Sequence, residues 1–168
     1  MKSLGIDPGE KTSGYGFVEV YGRHERALEW GEVESTREAF AALYRRLMPD
    51  LVTVEDVVIY RLQASKVLLR VKAVSERAAT VAGMLDIAAT TMAQDVWRPI
   101  VGVRKKRKGA VTTDAAVDRV LRMRLQGFPE PRKSSNHERD ALGLALAGGL
   151  KSTVAQFAGT WIHGGGQK

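Results

Sequence analysis

"LGIDPGEKTSGYGF", residues 4–17, sets an aspartate, Asp7, at the end of an apolar run and follows it with proline and three glycines. The spacing predicts a strand over 2–7, stopped by Pro8-Gly9, and a second strand over 14–20. The end of a buried strand is a costly place for a lone carboxylate, which there is paired, neutralised or bound to a metal. Either Asp7 does no more than initiate the Pro8-Gly9 turn, or the chain supplies partners for it.

Outward from this stretch, a third strand over 27–34 completes an antiparallel meander, with turns at 10–13 and 22–25. Phe40, Leu43, Tyr44 and Leu47 then recur at helical spacing. The run LVTVEDVVI, residues 51–59, reads as a central strand. Alternation places Leu51, Thr53, Glu55, Val57 and Ile59 on one face and Asp56 on the other. Glu55 is thus a second carboxylate inside an apolar strand, needing a buried arginine or a metal. A long helix is expected over 64–82, a fifth strand over 87–92, a short helix over 94–101 and another helix over 113–125. Ser135-Asn136-His137-Glu138 has the form of a capping box and opens a last helix that runs to about Gly149. Strands first and strand–helix alternation afterwards describe an α/β mixed sheet covered by helices. The expected organisation is one domain over 1–150 and a C-terminal tail over 151–168, partly ordered or flexible.

Composition narrows the chemistry. At 168 residues and 44% hydrophobic, the chain can build one core. It has no cysteine, so disulfides, thiolate zinc sites and thiol catalysis are excluded, and any metal is held by oxygen or imidazole. No leader and no apolar run of membrane-crossing length is read, so a cytoplasmic protein without membrane association is expected. Lys and Arg number 26 against 19 Asp and Glu, a net charge of +7. That balance favours a polyanionic partner. Arg104-Lys105-Lys106-Arg107-Lys108, closed by Gly109, is either a solvated loop or a phosphate-binding one.

Three acidic positions stand out: Asp7, Glu55 and Asp140 in the first turns of the last helix. His137 precedes Asp140 by three residues and shares its helix face. If the first and fourth strands are neighbours, Asp7 and Glu55 share one end of the sheet, and the four groups could surround one or two divalent cations. Mg²⁺ prefers oxygen ligands, and two ions about 4 Å apart can clamp an in-line phosphoryl displacement. Plainer roles are open to the helical pair: Asp140 as a partner of the helix dipole, His137 as an exposed residue.

The motifs "GIDPG" with "TSGYGF", "VEDV" and "HERDALGLALA", in this order, resemble the RuvC family of Holliday-junction resolvases, in the RNase H-like nuclease superfamily. The resemblance covers residues 3–150 and implies an RNase H-like mixed five-stranded sheet flanked by helices. It implies a structure-selective DNA endonuclease that resolves four-way junctions by paired, metal-dependent hydrolysis, leaving 5′-phosphate and 3′-hydroxyl nicks. Matched motif to motif, the catalytic, metal-holding positions fall on Asp7, Glu55, His137 and Asp140, with two Mg²⁺ or Mn²⁺ per active site. Many members carry aspartate where this chain has His137, a change that favours Mn²⁺; Glu138, a substitute ligand, points about 100° around the helix. The family is a homodimer whose interface uses the long helix, here with Lys66, Arg70, Lys72, Glu76 and Arg77 on it. Its junction-probing aromatic has no match at Val58, which leaves Tyr60. Its phosphate contacts fall on Arg98, Arg104, Lys105, Lys106, Arg107 and Lys108, of which Lys108 matches best. Branch-migration proteins are possible further partners, and phage-type members make a viral origin compatible with the short chain. The alternatives are an RNase H-like nuclease for other nucleic acids, a junction-binding module without cleavage, and an actin-like ATP-binding protein, for whose second domain the chain has no room.

Overall fold

The protein, a computed structural model describing residues 1–57, 65–103, 114–129 and 135–163 (156–163 by backbone alone), is built on one sheet. Strands β1 (Lys2–Asp7), β2 (Thr12–Tyr21) and β3 (His24–Glu34) form the antiparallel meander, and β4 (Leu51–Glu55) and β5 (Ala88–Met92) add in parallel. The order β3-β2-β1-β4-β5 makes β1 and β4 neighbours.

Period-two alternation sorts the side chains into two layers. Leu4, Ile6, Val52 and Val54 face α1 (Arg37–Leu47) and α2 (Lys66–Met84), packing on Phe40, Tyr44, Val74 and Ala78. Val18 and Val20 face the other way and join Trp97, Val101, Val117, Leu121, Leu142 and Leu146. These belong to α3 (Gln94–Val101), α4 (Asp114–Arg124) and α5 (Asn136–His163). Local signals set the helix starts. The Thr36 hydroxyl accepts from the Ala39 N–H at 3.2 Å. At α5 the capping box closes both ways, with Ser135 N–H donating to Glu138 Oε2 at 2.5 Å and Glu138 N–H to Ser135 Oγ at 3.2 Å.

Two expected boundaries differ by four residues or more. The strand expected over 51–59 ends at Glu55: the Asp56 N–H still donates to Met92 O at 3.0 Å, but Ser75 Oγ donates to Glu55 O at 2.5 Å and α2 takes over the backbone's partner. The last helix does not stop at Gly149 but continues to His163. Gly148 and Gly149 bring the helix close to the sheet: a Cβ at Gly148 would collide with the Thr53 hydroxyl, and one at Gly149 would lie 2.8 Å from Val20 Cγ2. The glycine pair is a packing feature, not a stop signal.

The same device seats the front of α5. Gly5 on β1 and Gly14 and Gly16 on β2 share the face turned to the helix. A Cβ at Gly16 would lie 2.5 Å from the backbone N of Leu142, and one at Gly5 or Gly14 would overlap the backbone at Ala141 or His137. The glycines of the opening stretch let a helix lie directly on two strands.

Candidate active site

Asp7 ends β1 and Glu55 ends β4; because the pairing is parallel, with Ile6 opposite Val54, both carboxylates emerge at the same end of adjacent strands. Alternation turns both toward α5, on the face of Gly5 and Thr53. The glycine seat lowers the first turns of α5 onto that end. His137 Nδ1 comes to 2.5 Å from Asp7 Oδ2, and Asp140, one turn on, faces the same rim. Asp7 is 8% exposed.

The charges feel one another. Burial, then Asp7 and Asp140, push the Glu55 carboxyl up to about 9. Burial raises Asp140 to about 6 with help from Asp7, although the Arg98 guanidinium, 3.2 Å away, pulls the other way. The neighbouring Asp7 carboxylate raises the His137 imidazole. Three carboxylates are therefore within electrostatic reach of each other, with one guanidinium and one imidazole to balance them. An adjoining cavity of about 450 Å³ opens beside Asp7 and Glu55 and adds Asp56 and Asp95 to its wall.

As they stand, the candidate ligands are engaged in two pairs, Asp7 with His137 and Asp140 with the Arg98 guanidinium, and do not form one closed shell. Among the described residues no three His, Asp or Glu side chains converge on a single point. The donor set still fits a hard divalent cation: it is oxygen and imidazole only, and burial, with the neighbouring carboxylates adding to it, holds two of its carboxyls above their ordinary range. Glu138 is no substitute ligand, because its carboxylate is engaged at the Ser135 N–H.

Arg98, expected to meet DNA phosphate, is largely buried, its side chain 14% exposed and paired with Asp140. The other expected DNA contacts, Tyr60, Arg104, Lys105, Lys106, Arg107 and Lys108, lie outside the described residues, as does Val58. On α2, Arg70 pairs with Glu10 at 2.5 Å, Lys72 with Asp56 at 3.4 Å, and Arg77 donates to Ser35 O, while Val67 and Leu69 stand exposed. Two features were not read from the sequence: the glycine seat, and the pairing of Arg98 with Asp140, beside the buried Trp97 on α3. The cue available was an aromatic–cation pair on a short amphipathic helix directly after the fifth strand. Among the described residues no helix is long and apolar enough to cross a membrane.

Comparison with known proteins defines the class first: the fold is the RNase H-like fold of the junction resolvases. The structure of Thermus thermophilus RuvC in complex with Holliday junction substrate matches with a TM-score of 0.70 at 18% identity, over 92% of this chain and 96% of that one. The fowlpox virus Holliday junction resolvase matches with a TM-score of 0.58 at 12% identity, over 93% and 99%. In sequence, the crossover junction endodeoxyribonuclease RuvC of Paracidovorax citrulli is 32% identical over 160 residues, spanning 87% of this chain and 82% of that relative. This chain belongs to the RuvC family of crossover junction endodeoxyribonucleases. No protein-family model matches it.

Proposed function

We propose that the protein is an endonuclease that resolves four-way DNA junctions, cutting with metal-dependent hydrolysis at the Asp7–Glu55–Asp140 rim. The observation that carries this reading is that Asp7 and Glu55 emerge at the same end of adjacent strands, with the first turns of α5 bringing His137 and Asp140 to that end, in a chain of the RuvC family. Asp7, Glu55, His137 and Asp140 would hold one or two Mg²⁺ or Mn²⁺ ions. A cation there supplies the positive charge that activates water and steadies the leaving oxygen of an in-line displacement.

The chain's own groups prepare that step. Asp7, anchored on the middle strand of the sheet, places an oxygen donor with little freedom to move. Glu55 stands beside it on β4, its backbone tied to α2 through Ser75. His137 stands against Asp7 and Arg98 against Asp140, each partly offsetting the negative charge of its carboxylate. The attacking water forms a bond to phosphorus as the P–O3′ bond breaks, so the products are a 5′-phosphate and a 3′-hydroxyl, the latter taking its proton from water. The basic run Arg104–Lys108 would hold the DNA backbone without reading sequence, and Tyr60 is the aromatic assigned to stack at the junction centre.

Paired cuts need two sites, and we assign a homodimer formed through the front of α2. Val67 and Leu69 are 53% and 52% exposed there, while Arg70 and Lys72 are turned back to their own chain. Sedimentation of a Val67→Glu, Leu69→Glu variant tests this: a monomer with a native circular dichroism spectrum is expected.

The test of function is a labelled four-way junction incubated with Mg²⁺, Mn²⁺ or EDTA, beside a linear duplex of the same sequence. Paired, metal-dependent nicks confined to the junction are expected. Equal cutting of the duplex would make the protein a general nuclease, and tight binding without nicks a junction-binding module.

A further inference from the structure

We propose that Arg98 is an exchangeable counter-ion for Asp140, holding the carboxylate against divalent cations until a DNA phosphate draws the guanidinium away. This rests on the reading above, in which Asp140 is a metal ligand.

The fold delivers Arg98 to the rim and fixes its backbone. Met92, the last residue of β5, pairs with Glu55 at the site end of the sheet, and α3 starts two residues on. Trp97 is fully buried, seated where a Cβ on Gly143 would come within 2.5 Å of its Cζ3. The carbonyl of the next residue, Arg98, accepts from the Val103 N–H at 2.9 Å. The Arg98 guanidinium lies 5.4 Å from the indole centroid.

The guanidinium itself is held loosely. Arg46 grips both oxygens of Glu29, at 2.9 and 2.6 Å, and Arg122 both of Asp118, at 3.0 and 3.5 Å. Arg124 likewise grips both oxygens of Glu25. Arg98 is more buried than these three, yet it reaches one oxygen of Asp140 through Nη2 alone, at 3.2 Å. Its Nε is buried with no acceptor among the described residues. A charged donor left unpaired in the interior is costly, and a fork satisfied at one prong gives up the geometry that makes arginine pairs strong. Such a contact neutralises Asp140 without locking it. A phosphate offers the same fork two oxygens, so the exchange favours leaving once DNA is present. Until then a unit positive charge beside the carboxylate opposes a divalent ion by on the order of tenfold in affinity, even at the screening of bulk water.

The test is Mn²⁺ binding to the DNA-free, full-length protein, followed by electron paramagnetic resonance. Arg98→Met and Arg98→Gln remove the charge, and Arg98→Lys keeps it. Melting in EDTA reports folding. Expected is Mn²⁺ binding tightened by about tenfold in both neutral variants and close to wild type in Arg98→Lys. A merely structural arginine gives the opposite sign, since its loss would leave Asp140 unplaced. In single-turnover junction cleavage the neutral variants' advantage in half-saturating Mn²⁺ should shrink, because phosphate has already drawn the wild-type guanidinium off. In ¹⁵N-labelled, DNA-free wild-type protein the Arg98 Nε–H resonance, assigned with Arg98→Lys, should move as Mg²⁺ displaces the guanidinium from Asp140.

Folded neutral variants that bind Mn²⁺ no more tightly than wild type overturn the proposal, as does an Arg98 resonance that stays put while Mg²⁺ binds. An advantage that does not shrink in the junction complex overturns it too. Tighter Mn²⁺ binding by the neutral variants of a protein that cuts no junction supports the counter-ion role and overturns the resolvase reading instead.

Discussion

Asp7→Asn keeps the shape of the β1 terminus and removes the negative charge that faces Glu55, Asp140 and His137. Losing an anionic donor from a cation site should cost several kcal/mol of transition-state stabilisation, on the order of 10³-fold in rate. Junction binding should persist, since phosphate contacts supply most of it; gel shift and single-turnover cleavage of the same preparation separate the two. His137→Asp works in the opposite sense. It adds a hard oxygen donor in place of an imidazole, so the ratio of Mn²⁺- to Mg²⁺-supported rates should fall several-fold. A ratio that does not move would remove His137 from the ligand set.

At the scale of elements, the decisive contact is α5 on β1 and β2. Gly16→Ala drives a methyl into the backbone of Leu142, and overpacking of that kind costs about 1–3 kcal/mol. In a chain of this size each kcal/mol moves the melting temperature by about 2–4 °C. Because α5 carries His137 and Asp140, cleavage should fall further than stability does; melting and cleavage measured together check the order. The capping box, the helix periodicities and the strand alternation were legible in sequence because each depends on residues a few positions apart. The end of β4 was not, since it depends on Ser75 of α2 capturing the Glu55 carbonyl. Nor was the length of α5: Gly148-Gly149 is a stop signal locally and becomes a contact surface once Thr53 and Val20 lie beneath it.

For the whole molecule, pH and metal are linked through the rim. Glu55, Asp140 and His137 all have folded-state pKa values raised above the unfolded ones, Glu55 to about 9 and Asp140 to about 6. A raised group contributes stability that is complete below its unfolded pKa and is lost as pH rises through its folded pKa. In EDTA the melting temperature should therefore decline from about pH 5 toward pH 9, across the span set by Glu55. Mg²⁺ should stabilise the protein more at pH 9 than at pH 5, because it favours the ionised carboxylates; calorimetry at the two pH values, with and without Mg²⁺, gives the four numbers needed. The net charge of +7 sets a second dependence. Junction affinity should fall linearly in log–log form with salt, and Lys105→Ala or Lys108→Ala should each reduce the slope by about 1.

The sequence by itself determined the elements, the mixed sheet and the identity of the acidic positions. Periodicity, capping and the cost of burying charge are local properties, and Asp7 and Glu55 violate a local rule conspicuously enough to be noticed. Only the tertiary structure decided which groups those carboxylates meet. Parallel pairing of β1 with β4 and the glycine seat under α5 join residues up to 130 positions apart. The same packing turned Arg98 inward to Asp140 and buried Trp97 against Gly143 of α5. Such partnerships follow from which surfaces can approach closely, and that is decided by the volumes of side chains that are absent, at Gly5, Gly14, Gly16 and Gly143, as much as by those present.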